Sequence, residues 1–167
     1  MLKMKDFALK AAATLALATL FWAVLAPPLG RPHYQHSNLT ITRADGTIFK
    51  FAVEVALTPE EEAYGLMFVR RLSEDAGMIF PSTEPHIVSF WMKNTLIPLD
   101  MLFVRPDGTI ARIVAQARPE DLTPISSQEP VIAVIEIKGG MAKKDGLALG
   151  DKVESPFLTP IGKPPAP

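Results

Sequence analysis

Phe90-Trp91-Met92-Lys93-Asn94-Thr95-Leu96-Ile97-Pro98-Leu99-Asp100 sets an aromatic pair, a polar trio and a carboxylate between two apolar runs. The block reads as the end of one strand, a polar turn and the start of the next. Polar side chains held at the mouth of a sheet are where a binding site is built. On its upstream side, Gly77-Met78-Ile79-Phe80 and the run from Ile87 to Met92 read as strands. Downstream, Leu99 to Arg105 and Ile110 to Ala115 form a hairpin through the turn Pro106-Asp107-Gly108. A polar, proline-bearing segment from Arg118 to Pro130 precedes the strongest strand, Val131 to Ile137. Gly139-Gly140 breaks that strand, a short helical turn follows around Ala142 to Asp145, and Gly150-Asp151 leads into a closing strand.

Nearer the start, Leu39 and Ile41 alternate with Thr40 and Thr42, and Asp45-Gly46 supplies a tight turn. The return strand puts Phe49, Phe51, Val53, Val55 and Leu57 on one face at period two. Thr58-Pro59-Glu60-Glu61 then starts a helix with a Thr cap, proline at the first position and Glu at the capping-box position, and Gly65 marks its end. Many short strands with turn signals and only one or two short helices predict a mainly β fold, a β-sandwich or small barrel. The competing reading is α+β, with a longer helix through Glu60 to Leu72.

The ends of the chain carry different signals. Lys3, Lys5 and Lys10 head a segment with no charged residue from Ala11 through Gly30, the pattern of a secretory signal over residues 1–26. Pro27 directly after the small residues Val24 and Ala26 opposes cleavage there, so the alternative is an uncleaved signal anchor through residues 8–29. Either outcome exports the remainder to the periplasm or exterior, or holds it on the inner membrane. Residues 27–37 read as a Pro-rich tether, 38–156 as a single β-rich domain and 157–167 as a Pro-rich tail. The chain has no cysteine, so an exported domain must be held by its core alone, without thiolate metal sites or a thiol nucleophile. The formal charge is −1; removing Lys3, Lys5, Lys10 and Asp6 subtracts +2 and leaves −3. A mildly acidic domain is a poor match for the phosphate backbone, and no nucleic-acid partner is expected.

Several motifs carry a resemblance. Gly65-Leu66-Met67-Phe68, Gly77-Met78-Ile79-Phe80, Phe90-Trp91-Met92-Lys93-Asn94-Thr95, Ile97-Pro98-Leu99-Asp100, and Glu136 with Gly140 and Gly150-Asp151 stand in one order and spacing. Together, over about residues 50–154, they resemble the domain-of-unknown-function family 192, small prokaryotic proteins often carrying a secretion signal. The resemblance implies a β-rich, jelly-roll-like domain and no particular activity. Val69 stands where the family places arginine directly after the Met-hydrophobic pair, which leaves either Arg70 or Arg71 for that position.

Two carboxylates interrupt apolar strand faces. Glu136 shares a face with Ile132 and Val134, and Asp100 shares one with Leu102 and Val104. Such groups need a cation or hydrogen-bond donors, for which Arg70, Arg71, Lys93 and Asn94 are available. They fit a structural ion-pair network, a pocket for a small polar ligand, or the two-carboxylate centre of a hydrolase. Of Phe90 and Trp91, one faces the core and the other a loop, solvent or a stacked ligand. Met67, Met78, Met92, Met101 and Met141 sit in strand or helix-end patterns, where methionine fills core gaps rather than binding copper. His33 and His36 read as solvated loop residues. No zinc-helix motif, phosphate-cradling glycine loop or Gly-x-Ser-x-Gly elbow is present. The reading that results is an exported, non-enzymatic β-domain that binds a small polar ligand or an envelope protein at the 91–100 loop. Its candidate site residues are Arg70, Trp91, Lys93, Asn94, Asp100 and Glu136, with no metal and no cofactor. The alternatives are a hydrolase using Asp100 and Glu136, and a structural accessory module of the envelope.

Overall fold

Leu39 and Ile41 lie on β1 (Gln35–Thr42), which turns at Gly46 and pairs antiparallel with β2 (Ile48–Val55). The computed structural model describes residues 30–158; the stretch 1–26 read as a secretory signal and most of the stretch read as a Pro-rich tail lie outside them. Ordered structure reaches further at both ends than the apolar pattern indicates. Tyr34 is buried and its hydroxyl donates to the carbonyls of Glu61 and Gly65, so the strand begins within the stretch read as tether. Phe157 and Leu158 pack against the core, so docking continues just past residue 156.

Helix α1 (Pro59–Tyr64) has the capping box that its sequence predicts: Thr58 accepts from the Glu61 N–H, and the Glu61 side chain accepts from the Thr58 N–H. It stops at Gly65, whose φ of 51° no continuing helix accommodates. The longer helix of the α+β reading is therefore absent. The next strand, β3 (Ala76–His86), runs parallel to β2. It outlasts the Gly77–Phe80 signal, with a register irregularity between Pro81 and His86. The strand expected over Ile87 to Met92 shrinks to β4 (Ser89–Phe90), because the Met92 N–H is taken by the Asp121 carbonyl.

The remaining strands are β5 (Leu99–Val104), β6 (Ile110–Ala117), β7 (Ile125–Ser126), β8 (Val131–Lys138) and β9 (Lys152–Glu154), with α2 (Met141–Lys144) between the last two. β4 and β7 form a separate ribbon. The other seven make one sheet in the order β6-β5-β8-β3-β2-β1-β9. Gly77 lets β3 lie against β8: a Cβ there would sit 2.5 Å from the Glu136 carbonyl oxygen. The sheet curls until its two edges meet at one end. Val153 donates to the Gly108 carbonyl at 2.8 Å, Ile110 to that of Asp151 at 2.9 Å, and Thr109 bridges Lys152. The result is a mainly β fold, a curled seven-stranded half-barrel.

Each face of the sheet has its own core. One face draws on every strand of the sheet and buries Leu39, Ile41, Val53, Ile79, Leu102, Ile110, Ile135 and Val153 together. The other face carries Met78, Phe80, Met101, Phe103 and Val134, and the segments holding Leu66, Met92 and Tyr34 cover it. It is on this second, loop-covered face that a cavity is left.

Candidate functional site

Asp100 and Glu136 lie on adjacent strands but on opposite faces. Asp100 pairs with Ile137, and Met101 with Glu136, so the two side chains alternate through the sheet. On the first face, the fully buried Asp100 accepts three backbone N–H bonds: Gln116 at 2.7 Å, Gly140 at 3.0 Å and Ala142 at 2.7 Å. Two of the three donors are presented by irregular backbone, and the third, Ala142, by the first turn of α2. Gln116 has φ 50° beside a bulge in the β5–β6 pairing, and Gly140 has φ 91° at the start of α2. Asp100 thus fastens three segments, and no side-chain cation takes part. A joint two-carboxylate centre is excluded, because the sheet separates the two groups.

Glu136 has the opposite surroundings. Its directly facing neighbours across the sheet are Met78 and Met101, both fully buried, and the residue itself is 5% exposed. Among the described residues its carboxyl has neither a hydrogen-bond nor an ion-pair partner, and since no fully buried side-chain oxygen lacks a partner, its oxygens keep some exposure to open space. Loss of water without replacement donors pushes its pKa up to about 8. The carboxyl opens instead onto a cavity of about 530 Å³.

Four stretches of chain wall this cavity. Glu62 and Tyr64 come from α1, followed by Gly65-Leu66-Met67; Phe80 and His86 come from β3; Phe90, Trp91, Lys93 and Thr95 come from the segment that opened the sequence reading. Phe90 turns inward, edge-on to Phe80 at 5.0 Å, while Trp91, just past the end of β4, stays 51% exposed. The Lys93 ammonium stands over the Trp91 ring, 5.2 Å from its centroid. His86 faces its own turn through Nδ1, within 2.9 Å of the Glu84 carbonyl and 3.3 Å of the Ser82 hydroxyl. Protonated, Glu136 offers this space one O–H donor; ionised, it calls for a cation or donors from whatever enters.

Of the residues proposed from sequence, the fold brings Trp91, Lys93 and Glu136 together around one space. It does not bring Arg70, Asn94 or Asp100 there. Arg70 and Arg71 are exposed and form no ion pair with either carboxylate. Asn94 is a backbone hinge with φ 54°: its carbonyl accepts from Phe68 N–H at 2.8 Å and its amide donates to the Met67 sulfur at 3.6 Å. Glu62, Tyr64, His86 and Thr95 were missed, since no local pattern links four segments that only the sheet gathers. Among the described residues, no three His, Asp or Glu side chains converge to hold a metal ion, and no helix is long and apolar enough to cross a membrane.

Comparison with known proteins agrees with this architecture. A crystal structure of a protein from Sinorhizobium meliloti 1021, described as a proposed transcription regulator, is 39% identical with a TM-score of 0.74, covering 77% of this chain and 100% of that one. A protein of unknown function from Novosphingobium aromaticivorans DSM 12444 is 43% identical with a TM-score of 0.70, covering 77% of this chain and 89% of that one. No curated protein matches the chain. The family DUF192, described as uncharacterized ACR, matches over residues 40–155, from within β1 through β9 and including Glu136 and the whole of the cavity's lining. With that span and those two structural relatives, the chain belongs to the DUF192 family.

Proposed function

We propose that this is an exported, non-catalytic domain that binds a small polar ligand in the cavity between α1, the Phe90–Thr95 segment and Glu136. The observation that carries the reading is the unpartnered carboxyl of Glu136 at the cavity floor. Folding alone gives no reason to keep a carboxyl there, because an apolar or amide side chain would avoid the desolvation cost. The hydrolase alternative loses its second carboxylate, since Asp100 is occupied by backbone amides on the other face. The description as a transcription regulator stays with the Sinorhizobium protein; for this chain, a formal charge of −3 after residue 26 weighs against direct nucleic-acid binding.

Two measurements test the proposal. A thermal-shift panel of sugars, amino acids, amines and organic acids should contain at least one compound that raises Tm. Trp91→Ala and Glu136→Gln should each remove that rise. A panel that leaves Tm unchanged throughout overturns the binding reading. For export, which the lysine-headed, charge-free Ala11–Gly30 segment supports, a reporter fused after Pro167 should fractionate outside the cytoplasm. A soluble cytoplasmic product refutes that part.

A further inference from the structure

The cavity's charge inventory narrows the chemistry of what it holds. The titratable groups facing Glu136 across the cavity are Glu62 and Tyr64 from α1, His86 from the end of β3 and Lys93 from the covering segment. Met78 and Met101 flank Glu136 on the neighbouring strands and add no charge. Glu62 and Lys93 cancel formally, and Lys93 leans on the Trp91 ring, outside ion-pair distance of Glu136. What remains is a single buried acid without a counter-ion. Around it stand aromatic side chains, and an aromatic face attracts cations. Lys93 over Trp91 is an example of that attraction within the same cavity wall.

Resting on the pocket reading above, we propose that the ligand is a small monocation of the ammonium class, with Glu136 as its counter-ion at the cavity floor. An anion would meet the Glu136 carboxyl with no compensating cation on the floor. A neutral ligand seated at Glu136 would take the protonated acid's O–H, and its affinity would fall as that proton leaves. A cation does the reverse. It binds the ionised carboxylate and expels the proton, so its affinity rises with pH until Glu136 is ionised in the free protein, at about 8.

Calorimetric titration of the full chain with butylammonium, butanol and butyrate at millimolar concentrations separates these cases. Butylammonium should bind best, tightening by roughly tenfold per pH unit below about pH 8 and levelling off above it, as proton linkage requires. Binding should release a proton, seen as a heat that changes with the buffer's ionisation enthalpy. Glu136→Gln should weaken butylammonium by tenfold or more and abolish the pH dependence, while a melt confirms that the variant is folded. If butanol or butyrate binds as tightly as butylammonium, or affinity is flat with pH, the cation assignment fails and the pocket reading survives. If none of the three binds, the cation assignment fails, and the panel of polar compounds decides the pocket reading separately.

Discussion

Replacing Asp100 with alanine is expected to cost about 3–5 kcal/mol of stability, the largest effect of any single substitution outside the apolar core. The side chain is fully buried and accepts from three backbone N–H groups, on Gln116, Gly140 and Ala142. Alanine leaves all three donors without acceptors, and an unsatisfied buried donor costs roughly 1–3 kcal/mol. Asp100→Asn keeps the shape but turns an NH₂ toward backbone N–H groups, so it should lose about 2–3 kcal/mol. A domain of this size holds about 5–15 kcal/mol in total, so the alanine variant sits near the edge of folding. Urea unfolding of both variants measures the losses. If Asp100→Ala shifts the midpoint no more than an exposed Asp→Ala control, the fastening role is wrong.

Glu136→Gln is expected to change stability in the other direction and in a pH-dependent way. The folded state holds the Glu136 proton to about pH 8, whereas the unfolded chain releases it near the ordinary value of 4.5. Stability from this group is therefore fully present below the lower value and drains away as pH rises, levelling off above the higher one. Over that window the wild type should lose on the order of 3 kcal/mol relative to the glutamine variant, allowing for water in the cavity. The two proteins should melt together near about pH 4.5, and the variant should melt well above the wild type near about pH 9. Melts without ligand across that range provide the check. A variant less stable than the wild type at every pH would mean that Glu136 has a partner after all, and the open floor of the cavity would be lost with it.

Features governed by neighbouring residues were legible in the sequence. The capping box at Thr58 and Glu61, the turns at Asp45-Gly46 and Pro106-Asp107-Gly108, the end of α1 at Gly65 and the period-two strands all follow from local chemistry, and the structure has each of them. The anomaly at positions 100 and 136 was legible too: both carboxylates are buried, as apolar strand faces require. What meets each of them was not. Side-chain partners such as Arg70 can be sought in a sequence, but Asp100 is met by backbone N–H groups, which every residue but proline carries and no letter marks. Nor did alternation within each strand reveal that the two acids face opposite ways, because that depends on the register between β5 and β8. The parallel pairing of β2 with β3 and the cavity itself likewise depend on distant segments meeting.

The meeting of the sheet's edges bears on when the domain can fold. β9, the last strand, lies beside β1, the first, and also ties down the Gly108–Ile110 end of β6. Val153 is fully packed among Leu39, Ile41 and Ile110, so without it that core stands open at one side. Contacts between the two ends of a chain close the longest loops and are the slowest to form. Synthesis therefore delivers an apolar trough before it delivers the strand that seals it, and the native state becomes reachable only when residue 154 has left the ribosome. Until then the β1 edge that β9 covers stands unpaired, open to pairing with a strand of another molecule.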